Sequence, residues 1–319
     1  MKAMIRTFAA ALLLAAAAHA QDFPSRPLKL IVADGPGSVS DVRARIIAGR
    51  LAEGVGQPVV VENRPGGSMA IAAEAASVAA PDGYTLFLGN VVTHSLNPHL
   101  FKSLNYKPED FAPVTLVSAG PLVLVVHPSV PASTLEDVVK LGRARPGELN
   151  YGAIGNGSPG HLIMEQLKAA RGTNFMLVPY KSTAQYIQDQ IAGNLQLSLN
   201  YWVVVGPHVK AGKLRAIAVA APKRLSAAPD IPTFEEAGIP GIEGSSWQGI
   251  MVPAGTPRAI VARLHTELAR VLNLPDVKAS IVDTGSEVGG NTPEEFAAYI
   301  RADRERWKKA VVDAKIEPM

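Results

Sequence analysis

Leu28-Lys29-Leu30-Ile31-Val32-Ala33-Asp34-Gly35-Pro36-Gly37-Ser38-Val39-Ser40-Asp41 is an apolar, β-branched run that breaks into a Gly/Ser/Pro turn immediately before a segment of helical period. Tyr151-Gly152-Ala153-Ile154-Gly155-Asn156-Gly157-Ser158-Pro159-Gly160 repeats the arrangement, and Val178-Pro179-Tyr180-Lys181-Ser182-Thr183-Ala184 does so a third time. Strand, tight turn and helix in alternation is the pattern of an α/β protein built on parallel strands. In such sheets ligands bind beyond the carboxyl ends of the strands, and all three turns fall there.

Outward from the first turn, the spacing predicts a helix with Val42, Ile46, Ile47 and Leu51 on one face, a strand over 59–61, and an Ala-rich helix over 71–80. Strands follow over 84–88 and 114–117. The pattern restarts with a strand over 122–126, and Ser133-Thr134-Leu135-Glu136 reads as a capping box opening a helix that stops before Pro146-Gly147. Further strands are expected over 151–154, 176–178, 195–199 and 216–219. After a strand over 247–252, Thr256-Pro257 and Thr292-Pro293-Glu294-Glu295 start two amphipathic helices. One strand and two helices are too little for a third domain, so they should return to the first half. The expected organisation is residues 21–120 plus 245–319 as one discontinuous lobe and 121–244 as the other, with the ligand cleft between two sheets flanked by helices.

The composition bounds the function. A chain of 319 residues with 47% hydrophobic and 18% charged residues is not a disordered one. The absence of cysteine excludes disulfides, zinc–cysteine sites, iron–sulfur clusters, thiol nucleophiles and an N-terminal lipid-modified Cys. The formal charge of +3 owes two units to Lys2 and Arg6, which precede an apolar run over 8–18 and the small-residue site Ala18-His19-Ala20. That run is half the length a membrane-spanning helix needs, and residues 1–20 read as a signal peptide cleaved after Ala20. The exported remainder balances 29 basic against 28 acidic residues, so a soluble periplasmic monomer is expected. Its basic residues form no aromatic-interleaved stripe, which argues against nucleic acid. None of the seven His has H-E-x-x-H or H-x-x-E-H spacing, so neither a metal nor another cofactor is expected.

In the first turn, Gly35 and Gly37 let backbone amides approach a ligand, while Ser38 and Ser40 offer hydroxyls beside a helix N-terminus that favours an anion. The same turn could serve only to cap the helix through Ser40 or Asp41. Gly155-x-Gly157-x-x-Gly160 matches the dinucleotide fingerprint, yet the acid required about twenty residues later is missing, since that stretch is Val178-Pro179-Tyr180-Lys181. Ser158-Pro159 reads better as N-cap and first helical residue, leaving a carboxylate site or a structural turn. In the third turn, Ser182 or Thr183 caps the next helix, Tyr180 is either a cleft wall or a core aromatic, and Lys181 is either an anion's partner or solvated.

The whole exported chain resembles the Bug-type solute receptors, the extracytoplasmic subunits of tripartite tricarboxylate transporters. The resemblance rests on Pro24-Ser25-Arg26-Pro27, Gly56-Gln57-Pro58-Val59-Val60-Val61-Glu62-Asn63-Arg64-Pro65-Gly66, Ala80-Pro81-Asp82-Gly83-Tyr84, Asp110-Phe111-Ala112-Pro113-Val114, Gly157-Ser158 with His161-Leu162, Val178-Pro179-Tyr180-Lys181, and Pro253-Ala254-Gly255-Thr256-Pro257. It implies a two-lobed, type II-like periplasmic-binding-protein fold that closes on a small organic carboxylate and delivers it to membrane permease subunits. Carried over, the ligand contacts are Gly37, Ser38 and Ser40 on one side, Gly157, Ser158 and His161 on the other, and Thr183 with Ala184 as a third edge.

The sequence departs from the family where Pro-Phe-Pro-Pro-Gly-Gly is usual, reading Ala33-Asp34-Gly35-Pro36-Gly37-Ser38. Asp34 in place of an aromatic wall suggests a ligand with a cationic or donor group opposite its carboxylate, or else a carboxylate that points away and caps the turn. Ser182-Thr183 stands where Gly-Gly is common, and Gln196 and Asn200 stand where acids are usual. A sensor that presents its ligand to a membrane signalling protein fits the same residues. A periplasmic hydrolase or isomerase fits less well, because no spacing joins a general base to a nucleophile.

Overall fold

The computed structural model describes residues 23–155, 157–180 and 182–318; the expected signal segment, Asn156 and Lys181 lie outside them. The first half opens with β1 (Leu28–Val32), α1 (Val39–Val55), β2 (Val59–Asn63), α2 (Ala70–Ser77) and β3 (Thr85–Asn90). A π-turn at Val92–Leu96 leads into the short α3 (Asn97–Leu100) and then β4 (Phe111–Val126). The second half contains α4 (Leu135–Ala144), β5 (Asn150–Ala153), α5 (Pro159–Arg171), β6 (Met176–Pro179), α6 (Thr183–Ile191), β7 (Leu197–Tyr201), α7 (Trp202–Lys210) and β8 (Arg215–Val219). The chain ends with β9 (Ser245–Pro253), α8 (Arg258–Leu272), α9 (Pro275–Val282), β10 (Glu287–Val288) and α10 (Pro293–Asp313).

The strands run in the order β2-β1-β3-β9-β4-β7-β5-β6, a mixed α/β arrangement. Parallel pairing, as expected, joins β1 to β2 and β3, and β5 to β6 and β7. The central strands differ from the expectation: β9 is antiparallel to β3 and to β4, and β4 is antiparallel to β7 and β8. The two strands expected over 114–117 and 122–126 are one strand of 16 residues. Gly120-Pro121 does not end it, because Gly120 and Pro121 still pair with Ser246 and Ser245 of β9 while Leu122 begins the pairing with Tyr201 of β7. β4 therefore leaves one sheet and enters the other without a loop.

Three further details depart from the sequence pattern. The buried face of α1 is Ala44, Ile47, Ala48, Leu51 and Val55, with Val42 exposed; the small alanines let the helix lie close on β1 and β2. The capping box of α4 is Thr134 with Asp137, one residue later than Ser133 with Glu136, and it places Leu135, the first residue of the helix, in the core. α8 begins at Arg258 after Pro257, and Thr256 Oγ1 donates to the Pro253 carbonyl at 2.7 Å instead of capping. The Thr292–Glu295 box of α10 forms as read.

One core cluster runs through both halves and includes Phe87, Leu124, Leu162, Ile163, Trp247, Phe296 and Trp307. Trp247 is fully buried and its indole N–H donates to Asp303 of α10 at 2.7 Å, so α10 is held by a polar bond inside an apolar layer. Burying each such large side chain stabilises by roughly 1.5–3 kcal/mol. No helix among the described residues is long and apolar enough to cross a membrane.

Candidate functional site

β1, β5 and β6 each end in a turn that starts a helix, and the three starts converge on two adjoining cavities. One, of about 390 Å³, is lined by Asp34, Ser38, Ser40, Arg43, Ser118 and Gln248 among others. The second, of about 340 Å³, is lined by Leu96, Leu100, Phe101, Gly157, Ser158 and Asn200 among others. Met69, Val92, Thr183 and Tyr201 line both, so the cavities form one cleft. A larger depression of about 900 Å³ beside Thr134 and Arg215 includes none of the candidate residues.

The α1 start is closed on itself. Ser38 is extended and its Oγ accepts the Asp41 amide at 3.1 Å. The Asp41 carboxylate accepts the Gly37 amide at 2.9 Å and Asn63 Nδ2 at 2.9 Å, and it pairs with Arg45 at 3.0 Å. Arg45, then the Gly37 amide and Asn63, hold the Asp41 pKa down at about 2. The Gly37 amide expected to meet a ligand is therefore engaged, and Ser38, not Ser40 or Asp41, caps the helix. Gly35 and Gly37 are not among the residues lining either cavity, whereas Asp34, Ser38 and Ser40 are. The Asp34 carbonyl accepts Asn63 Nδ2, and its carboxylate forms no ion pair among the described residues.

Arg43, which the sequence reading passed over, sits in the same wall. It is 6% exposed and makes no ion pair among the described residues. Its Nη1 donates to Ser118 Oγ at 2.9 Å and to Gln248 Oε1 at 2.7 Å, and Nη2 donates to Thr284 Oγ1 at 3.1 Å. Nε is buried without an acceptor. Burial pushes the guanidinium pKa down to about 10, leaving it charged at neutral pH. Gln248 passes the polarity on, its Nε2 donating to Ser40 Oγ at 2.6 Å.

The α5 start is open by contrast. Ser158 is extended but supplies no side-chain cap; its Oγ donates to the Gly155 carbonyl at 3.3 Å. The Gly157 amide donates to His161 Nδ1 at 3.0 Å. Burial lowers the His161 pKa, which agrees with a neutral ring accepting at Nδ1. His161 lines neither cavity of the cleft and opens on a separate hollow with Glu165 and Lys315. It reaches the cleft only through Gly157. At the α6 start, Ser182 Oγ accepts the Gln185 amide at 3.4 Å; Thr183 faces the cleft and Ala184 is exposed outside it. Tyr180 is tied by its hydroxyl to Asp189 at 2.8 Å and is not a cleft wall. Asn200 lines the apolar cavity, its Nδ2 donating to the Tyr186 hydroxyl at 2.6 Å.

A cleft with one buried cation, several hydroxyls and an apolar extension suits an anion carrying an apolar body. Among the described residues no three His, Cys, Asp or Glu side chains cluster as a metal site would need. A family model described as tripartite tricarboxylate transporter family receptor matches residues 43–316. The chain is 32% identical over 311 residues to the protein BugT of Bordetella pertussis, covering 97% of this chain and 95% of that one. It is similar to the solved structure of Rpa4515 from R. palustris with adipate at a TM-score of 0.81 and 35% identity, covering 93% of this chain and all of the other. It is also similar to MatC from Rhodopseudomonas palustris with bound malate, at a TM-score of 0.76 and 31% identity, covering 91% of this chain and 100% of that one.

Proposed function

Because the chain belongs to the tripartite tricarboxylate transporter receptor family, we propose that it is an exported, periplasmic receptor that captures a small organic carboxylate in this cleft and hands it to membrane permease subunits. The observation that carries the reading is the convergence of three strand-to-helix turns on a single cleft whose polar wall has a buried, uncompensated cation. Two similar structures hold adipate and malate, and a carboxylate is the ligand these groups would recognise here as well. Ser38, Ser40 and Thr183 face the ligand on the polar side of the cleft, Gly157 and Ser158 line its apolar extension, and His161 holds the Gly157 amide from behind.

Residues 21–120 with 245–319 act as one lobe and 121–244 as the other. The chain passes between them at Pro121–Leu122 of β4 and near Gly244, and small rotations there close the cleft over the ligand. A ligand that binds only the closed form raises the melting temperature with the logarithm of its concentration once above its Kd. Thermal melts with a carboxylate panel, paired with small-angle scattering, test this: a binding carboxylate should raise the melting temperature and compact the protein. A panel that leaves both unchanged contradicts the reading.

A further inference from the structure

We propose that Arg43 is the charge anchor of the cleft, setting the ligand's carboxylate against the α1 wall with the apolar part of the molecule in the cavity beside Leu96, Leu100 and Phe101. This rests on the carboxylate-receptor reading and adds to it an orientation and a residue that recognises charge. A guanidinium removed from water needs either an anionic partner or enough dipoles to replace its hydration. Among the described residues Arg43 has only neutral oxygens bonded to it, from Ser118, Gln248 and Thr284, and its Nε has no acceptor. The nearest acid on its helix, Asp41, is already committed to Arg45, Asn63 and the Gly37 amide. Asp34 lines the same cavity and forms no ion pair with it.

The direction of the hydrogen bonds supports the same assignment. Arg43 donates to Gln248 Oε1, Gln248 Nε2 donates to Ser40 Oγ, and the Ser40 hydroxyl hydrogen is thereby left to donate outward. Ser118 Oγ likewise accepts from Arg43 and keeps its own hydrogen. Both hydroxyls line the cavity, so the wall presents donors backed by a positive charge, an arrangement that favours an acceptor-only group such as a carboxylate. The carboxylate's direct contacts come from Ser40 and Ser118. Arg43 acts chiefly through them, as a positioning and charge-supplying residue.

The test compares wild type with Arg43→Met, Arg43→Lys and Gln248→Glu by calorimetric titration, using hexanoate, adipate and the neutral analogue hexanamide as probes. Wild type should prefer hexanoate to hexanamide. Arg43→Met should weaken carboxylate binding at least about 30-fold, the lower range for removing one member of a buried charge pair. Hexanamide should change little, collapsing the acid-to-amide preference. Arg43→Lys should restore part of that preference, which a merely structural loss would not do. Gln248→Glu supplies the missing counter-charge within the fold, so it should keep or raise the ligand-free melting temperature while abolishing carboxylate binding. The proposal is overturned if wild type binds carboxylates and the acid-to-amide preference survives in Arg43→Met or Gln248→Glu. If wild type binds none of the probes and carries no co-purified organic anion, the receptor reading falls, and this assignment with it.

Discussion

Gly37-Ser38 and Gly157-Ser158 enter helices on the two sides of the cleft with the same backbone. Each glycine has φ +80°, and the serines lie at φ −68°, ψ 162° and φ −66°, ψ 153°. Their surroundings differ completely. At α1 the serine caps the helix and a buried carboxylate takes the glycine amide, so the free polarity of that wall has moved to Ser40, Gln248 and Arg43. At α5 the serine does not cap, the glycine amide is taken by a neutral imidazole, and the wall is apolar. A helix start is thus not by itself an anion site: what its first turn already binds decides how much of its polarity a ligand can use.

The glycines give the largest effect that separates the two sides. A Cβ on Gly157 would lie 2.8 Å from Leu100, whereas one on Gly37 meets nothing within 4 Å. An alanine at either position bears the cost of the left-handed backbone, about 1–2 kcal/mol. Gly157→Ala should lose about 2–3 kcal/mol in urea unfolding, because overpacking adds to that cost, and Gly37→Ala should lose about 1 kcal/mol. Equal losses would mean the two turns are less different than their packing suggests.

Asp41→Asn sharpens the comparison from the other side. It removes the negative charge from the first turn of α1 while leaving an oxygen for the Gly37 amide. Carboxylate affinity should rise about two- to five-fold, the effect of one charge near a helix end. An unchanged affinity would place the ligand away from this start.

The smallest effect concerns pH. Burial depresses the pKa of His161 in the folded chain, so below the solution value near 6.5 the unfolded chain binds more protons. The stability His161 contributes is complete above about pH 6.5 and is lost as the pH falls below it. His94, whose buried ring has its pKa pushed down to about 3, adds to the same slope. His161→Gln should make the stability profile shallower on the acid side without flattening it, measured by urea unfolding at a series of pH values.

Much of this was legible in the sequence. The strand–turn–helix units at Leu28, Tyr151 and Val178 announced the α/β class and the end of the sheets where the cleft lies, because turn chemistry and period are local signals. The antiparallel placement of β4 and β9 was not, since pairing partners far apart leave no local mark, and the runs 114–117 and 122–126 read as two strands although one strand continues through Gly120-Pro121. Within the site, Asp34, Ser38, Ser40 and Ser158 stand out because they lie in Gly-rich turns, whereas Thr183 came from the family resemblance, its own turn having no glycine. Arg43 was missed because it stands inside α1. The apolar row chosen for that helix included Val42, which put Arg43 with the solvated residues; the row through Ala44, Ile47, Ala48 and Leu51 would have drawn attention to an arginine beside the buried face.

The most direct check on the central claim is a crystal structure of the protein with the carboxylate that stabilises it most. The ligand's anionic group should lie against Ser40 and Ser118 on the Arg43 side, with its apolar part beside Leu100 and Phe101. A carboxylate lodged instead at Gly157-Ser158, or a neutral ligand filling the cleft, would contradict it.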